Sequence, residues 1–161
     1  SPDMIGGGEY LNFQECTNGK FDAELFVRYC EIAALMPVMQ FSAAPWRILG
    51  KEDYQKVLTA MQVRGKYLPI LLEVVQQAYE TGEPIVRHME YVFPGQGMER
   101  IMNQFMIGDR LLAAPIHEKG VTAREVWIPK GKWKLGEEVL ESSGEKVVLE
   151  QKAGPLVLER I

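Results

Sequence analysis

Residues 22–42 read DAELFVRYCEIAALMPVMQFS, and their reading decides the fold. Asp22 is a short side-chain acceptor just ahead of an apolar-periodic run, which makes it an N-cap for a helix over about 23–35. Leu25, Phe26, Tyr29, Ile32 and Ala33 recur at helical spacing and predict one apolar face. Pro37 ends that helix, because its ring and missing N–H cannot continue one. Residues 36–42 are then short and apolar and predict a buried strand. Upstream, Asp3-Met4-Ile5-Gly6-Gly7-Gly8 predicts a strand end running into a turn, where glycines allow positive φ and close backbone approach.

A loop over Ala43–Gly50, with Pro45 and Trp46, leads into a long helical pattern over about 51–81, which stops at Gly82. Val57, Leu58, Met61, Leu68, Leu71, Leu72, Val75 and Ala78 form its predicted apolar stripe. Pro69 lies inside it and predicts either two helices or one bent helix. The first half is therefore strand–helix–strand–helix, and this alternation implies a parallel sheet or barrel. A complete eight-fold barrel takes about 250 residues, so the chain has room for only about two of its units.

After Gly82 the pattern changes. Residues 85–93 alternate imperfectly, Leu111–Ile116 is a buried-strand run, and Ala123–Ile128 alternates cleanly. Segments at 139–140, 146–149 and 156–158 complete a series of short strands, which predicts a small antiparallel β-sandwich. The fold class is α/β: two strand–helix units over residues 1–82, then a β-sandwich over 83–161.

Composition is that of an ordinary globular protein, with 47% apolar and 25% charged residues. A net charge of −4 without a basic cluster argues against a nucleic-acid surface. No apolar run approaches the roughly 18 residues of a membrane span. The opening Ser1-Pro2-Asp3 carries no initiator methionine, as in a processed or excised piece. Cys16 and Cys30 read as a loop bystander and a buried thiol rather than a disulfide.

Several motifs that suggest chemistry read better as structure. Gly6-Gly7-Gly8 lacks the Lys-Ser/Thr of a P-loop, and Gly95-Gln96-Gly97 has Arg100 where a dinucleotide fingerprint has glycine. His88 and His117 have no partners at metal spacing, so no metal site and no cofactor is expected. There is no Gly-x-Ser-x-Gly elbow. Trp127 and Trp133 read as packing residues rather than a sugar platform. Asp3 stands out, because a carboxylate at the C-terminal end of a barrel strand faces the active side.

The pieces Asp3–Gly7, Glu24–Arg28, Pro37–Ser42 with Pro45-Trp46, Gly82–Arg87, Asn103–Asp109, Leu111–Ile116 and Ile128–Trp133 resemble, in order and spacing, the C-terminal part of glycoside hydrolase family 31. The family includes α-glucosidases and α-galactosidases. The resemblance implies part of a retaining α-glycosidase acting on oligosaccharides or glycosides: the end of its catalytic barrel, then a β-domain. In the family both catalytic aspartates precede the segment that resembles this chain, so no catalytic residue is expected here and the isolated chain should be inactive. Asp3–Gly7 is similar to the family's Asp-Ile-Gly-Gly segment after barrel strand seven, one residue longer than the commonest form. Pro37–Ser42 is similar to the end of strand eight, with Gln40 at an arginine position and Ser42 at a sugar-binding histidine position. That variant, followed by Pro45-Trp46, resembles a branch that prefers α-galactosides. His88 replaces a usual proline. The implied substrate-binding residues are Asp3, Gln40 and Ser42, and the implied partners are a carbohydrate and the remainder of a barrel. With the barrel open, self-association is expected. The alternative is a non-catalytic carbohydrate-binding or scaffold module.

Overall fold

The computed structural model describes residues 2–7 and 21–161. Helix α1 spans Ala23–Ala34, and the Asp22 carboxylate accepts from the Leu25 N–H, as its position predicted. Its buried residues are Phe26, Val27, Cys30, Glu31, Ala33 and Ala34, while Leu25 is exposed. The buried face is thus turned from the predicted one, because α1 packs its Phe26–Cys30–Ala33 side on the long helix and on Ile5.

Residues 36–42 do not form the predicted buried strand. They make one parallel bridge, Phe41 to Ile5, and Val38, Gln40 and Ser42 are exposed. The run is short and apolar, but among the described residues only Ile5 bridges it, so the side of Phe41 alone gains cover. A short helix, α2, spans Pro45–Ile48.

Helix α3 runs unbroken from Lys51 to Thr81, with Pro69 inside it, so the two-helix alternative does not occur. Pro69 and Gly65 both lie on the exposed side. Water can therefore reach the Gly65 carbonyl that has lost its i+4 donor, while Tyr67, Ile70 and Leu71 anchor the opposite side. The buried stripe is Val57, Ala60, Tyr67, Ile70, Leu71 and Val74, one position off much of the predicted one. Leu68, Leu72, Val75 and Tyr79 form a second apolar line that faces outward.

Beyond Gly82 the chain is mostly antiparallel sheet. The strands are β1 (Val86–Arg87), β2 (Phe105–Ile107), β3 (Leu111–Ala113), β4 (Ala123–Ile128), β5 (Gly131–Leu135), β6 (Glu138–Ser142), β7 (Glu145–Glu150) and β8 (Val157–Arg160). A one-turn helix, α4 (Met89–Val92), replaces most of the alternating strand expected over 85–93. His88 caps it, with Nδ1 accepting from the Glu90 N–H, which gives this histidine a structural role. One sheet has the order β1-β2-β3-β8-β5-β6, and β4 pairs with β7 in a second.

Side-chain alternation sends the two faces of the six-stranded sheet to different cores. Met106, Leu112, Trp133 and Leu158 meet Val126, Ile128 and Leu149 from the β4–β7 pair. Ile107, Leu111, Ala113 and Val157 face the other way and meet Tyr67, Ile70, Leu71 and Val74 of α3. Leu35, just after α1, is buried in this second core. Helix α3 therefore sits on one face of the larger sheet, and the β4–β7 pair, with Met89 of α4, on the other. Among the described residues no helix is long and apolar enough to cross a membrane.

Candidate functional site

The site sits where the two short segments meet. The Ile5 N–H donates to the Gln40 carbonyl at 3.0 Å, and the Ser42 N–H donates to the Ile5 carbonyl at 2.9 Å. These two bonds straddle Phe41 and fix the segments in parallel. Ile5 is fully buried against α1 and α3, together with the half-buried Phe41. Gln40 and Ser42 flank Phe41 in sequence, so alternation places both on the opposite, open side.

Asp3 lies two residues before Ile5 and is exposed. Its Oδ1 accepts from the Met4 N–H at 2.7 Å, and its carbonyl accepts from the Tyr29 hydroxyl at 2.9 Å. The turn that follows needs Gly6. Its φ is +71°, and a Cβ there would come within 2.7 Å of the Phe26 ring. The backbone thus places Gln40 and Ser42 directly beside the Ile5 strand, with Asp3 at its beginning. A cleft lined by Phe41, Ser42, Pro45, Trp46, Tyr54 and Met61 opens next to Ser42.

Residues not singled out from sequence hold this region together. Arg64, on α3, donates to the carbonyls of Ala34, Met36 and Pro37 at 3.0, 2.6 and 3.1 Å, which ties off α1 and aims the chain toward Gln40. Burial lowers the Arg64 pKa, but three carbonyl acceptors suit a guanidinium. Arg28 Nη1 donates to Gln151 Oε1 at 2.8 Å, and Nη2 donates to the Val121 carbonyl at 2.6 Å. Gln151 Nε2 returns a bond to Glu31 at 2.7 Å, and Lys119 pairs with Asp22 at 2.7 Å. A polar seam therefore links α1 to the loops around β4 and β7. A charged pair in a helical pattern, Arg28 and Glu31, was the only sequence signal for it.

Other quoted motifs prove structural. Val86 and Arg87 pair with Ile107 and Met106, and the buried Arg87 side chain binds Asp109. The chain's one Gly-Asp pair, Gly108-Asp109, is therefore committed to a turn contact. Gln104 receives the Trp127 N–H and donates to the Trp127 carbonyl. Trp133 is fully buried, with its Nε1 donating to Pro129. Cys30 is a buried free thiol, whereas Cys16 and Gly8 lie outside the described residues. Among the described residues no group of His, Cys, Asp and Glu could hold a metal ion.

Residues 82–156 match the glycosyl hydrolase family 31 C-terminal domain. Over 143 residues the chain is 42% identical to the myogenesis-regulating glycosidase of Mus musculus, covering 83% of this chain and 19% of that protein. The chain belongs to glycoside hydrolase family 31. Family relatives include the α-glucosidase of Saccharolobus solfataricus, 34% identical over 80% of this chain and 19% of that one. The SITS-binding protein of Tetronarce californica is 33% identical over 80% of this chain and 18% of its own length. The chain thus spans about a fifth of the length of these curated relatives. Among solved structures, a family 31 sulfoquinovosidase from E. rectale shares the fold at TM-score 0.80 and 18% identity, over 98% of this chain and 24% of that one. A cycloalternan-degrading enzyme from Trueperella pyogenes is 26% identical at TM-score 0.73, over 87% of this chain and 23% of its own. The antiparallel sheets after Gly82 are those of the family 31 C-terminal domain.

Proposed function

We propose that this chain is the C-terminal part of a retaining α-glycosidase. Residues 1–82 would supply the last two strand–helix units of a (β/α)8 barrel, and residues 83–161 a β-sandwich that braces them. The observation that carries this reading is the parallel bridge between Ile5 and Phe41, with α1 after the first segment and α3 after the second. Parallel neighbours joined through a helix are the repeating unit of such a barrel. The strand ends of a barrel form its active face, and Gln40, Ser42 and the turn after Asp3 lie at these ends.

Retaining hydrolysis uses two carboxyls about 5 Å apart, one a nucleophile and one an acid/base. Upstream barrel residues would provide both, so this chain shapes the pocket rather than breaking the bond. The exposed Asp3 carboxylate accepts from sugar hydroxyls or orients a neighbouring arginine. The Gln40 amide both donates and accepts, and the short Ser42 leaves room for an axial hydroxyl. An α-galactoside is therefore the favoured substrate. No cofactor takes part.

The test compares kcat/KM for α-galactoside and α-glucoside in the longer enzyme and in its Gln40→Arg/Ser42→His variant. The native enzyme should favour galactoside, and the double change should move the ratio toward glucoside by at least about tenfold, since sites that read a hydroxyl discriminate strongly. A native preference for glucoside, or an unmoved ratio, would sink the specificity reading. One relative is named for binding rather than hydrolysis, and this favours a second reading, a non-catalytic carbohydrate-binding or scaffold module. That reading predicts saturable sugar binding with no turnover by the longer protein.

A further inference from the structure

Asp3 is held at its own backbone, and the holding group leads away from the site. Tyr29 donates its hydroxyl to the Asp3 carbonyl at 2.9 Å. The next residue back on α1, Arg28, turns the other way and grips the β-rich half through Gln151 Oε1 and the Val121 carbonyl. Gln151 is itself fixed. Its N–H donates to the Thr122 carbonyl at 2.8 Å, and its Nε2 binds the buried Glu31. One turn of α1 is therefore clamped to the β4–β7 region by Arg28 and Glu31, and to the Asp3 segment by Tyr29.

We propose that Tyr29 and Arg28 are positioning residues that let the β-rich half set the placement of Asp3. The proposal rests on Asp3 being a sugar-binding residue for its functional meaning, but not for its geometry. The arrangement has the parts a relay needs. The Tyr29 ring packs against the α1–α3 core, and Tyr29→Phe keeps that ring while removing the hydroxyl that holds Asp3. Arg28 bonds Gln151, 123 residues along the chain, and is joined to Asp3 through its neighbour Tyr29 on α1. The turn bond from the Gly7 N–H to the Met4 carbonyl, the two bonds of the Ile5 bridge and the burial of Ile5 also restrain the Asp3 segment. Any local opening of this segment is reported by its amide exchange.

The experiment is residue-resolved amide exchange on the full chain, native and as Tyr29→Phe, Gln151→Ala and Arg28→Lys. Tyr29→Phe should speed exchange at the Ile5 and Ser42 amides about threefold to tenfold, the size of one lost hydrogen bond, and leave Met106 and Ile107 unchanged. Gln151→Ala should act at the same two amides, and Arg28→Lys should do so more weakly. In the longer enzyme, Tyr29→Phe should raise KM with kcat held. Unchanged exchange at Ile5, or acceleration spread evenly over the chain, would overturn the relay. So would an unmoved KM in an enzyme whose Asp3→Asn variant shows a raised KM. If Asp3→Asn leaves KM alone, the sugar-binding reading of Asp3 fails, and exchange alone decides the relay.

Discussion

Cys30 lies among Phe26, Ala33, Val57 and Ala60, where α1 meets α3, and burial pushes its thiol up to about 12, with the neighbouring Glu31 charge adding to the effect. At neutral pH the reactive thiolate is then essentially absent. In a Cys16→Ser background, iodoacetamide should leave the folded protein unmodified and label it once on unfolding. Labelling at the same rate in both states would contradict the packing. Glu31 is nearly as buried, and desolvation raises its pKa from an ordinary 4.5, against the lowering pull of Gln151 and Arg28. A carboxyl raised on folding binds more protons folded than unfolded, so its contribution is full below the ordinary value and is lost as pH climbs toward the raised one. Native stability should therefore fall as pH rises above the ordinary value of 4.5, relative to Glu31→Gln. Parallel stability profiles in urea would refute this. At Gly108, φ is +53° and a Cβ would meet Val74 Cγ2 at 2.7 Å. Gly108→Ala should cost about 2–4 kcal/mol, combining left-handed strain with overpacking, and adding Val74→Ala should return part of that loss. At this scale Asp22 and Pro37 were readable, because caps and prolines act locally. The roles of Arg28, Tyr29 and Arg64 were not, because their acceptors are carbonyls that only the fold brings near.

Helix α3 shows how an element can be read correctly while its orientation is missed. Its length and its end at Gly82 follow from pattern and from a left-handed C-cap with φ of 77°. Its buried face does not, because the helix carries two apolar lines, and periodicity cannot say which one meets the sheet. The sheet chooses Tyr67, Ile70, Leu71 and Val74, since Gly108 and the β2–β3 strands dock there. Pro69 survives mid-helix because it faces water. Pro69→Ala should then restore one hydrogen bond and stabilise the chain by about 1–3 kcal/mol. Chemical denaturation measures this directly, and a loss of stability would mean that the proline serves the native helix. The strand expected over 36–42 differs for a related reason: its apolar run reads as buried, yet among the described residues it makes only the bridge from Phe41 to Ile5.

At the scale of the molecule, both halves have cores, and both leave some apolar side chains uncovered. The β-rich half has a core on each face of its larger sheet. The helical half leaves Leu25, Trp46, Leu72 and Tyr79 more than half exposed. On α3, Leu68, Leu72, Val75 and Tyr79 follow one another along one exposed face, and an apolar line of this kind drives association. Sedimentation should show the isolated chain self-associating with rising concentration, and Leu68→Gln/Leu72→Gln/Val75→Gln should return it toward monomer. A monomer at all concentrations would show that the apolar line needs no cover. The antiparallel β-rich half was legible from strand spacing and turn residues. The binding role proposed for Asp3, Gln40 and Ser42 was legible only as a resemblance, because three exposed polar side chains beside one bridge carry no pattern of their own. The central claim is that this chain shapes a glycosidase pocket whose catalytic carboxylates lie upstream. The most direct measurement follows nitrophenyl α-glycoside hydrolysis by NMR, with the isolated chain and the longer protein side by side. The longer protein should release sugar with its α configuration retained, and the isolated chain should release none. Turnover by the isolated chain, or inversion by the longer protein, would contradict the account.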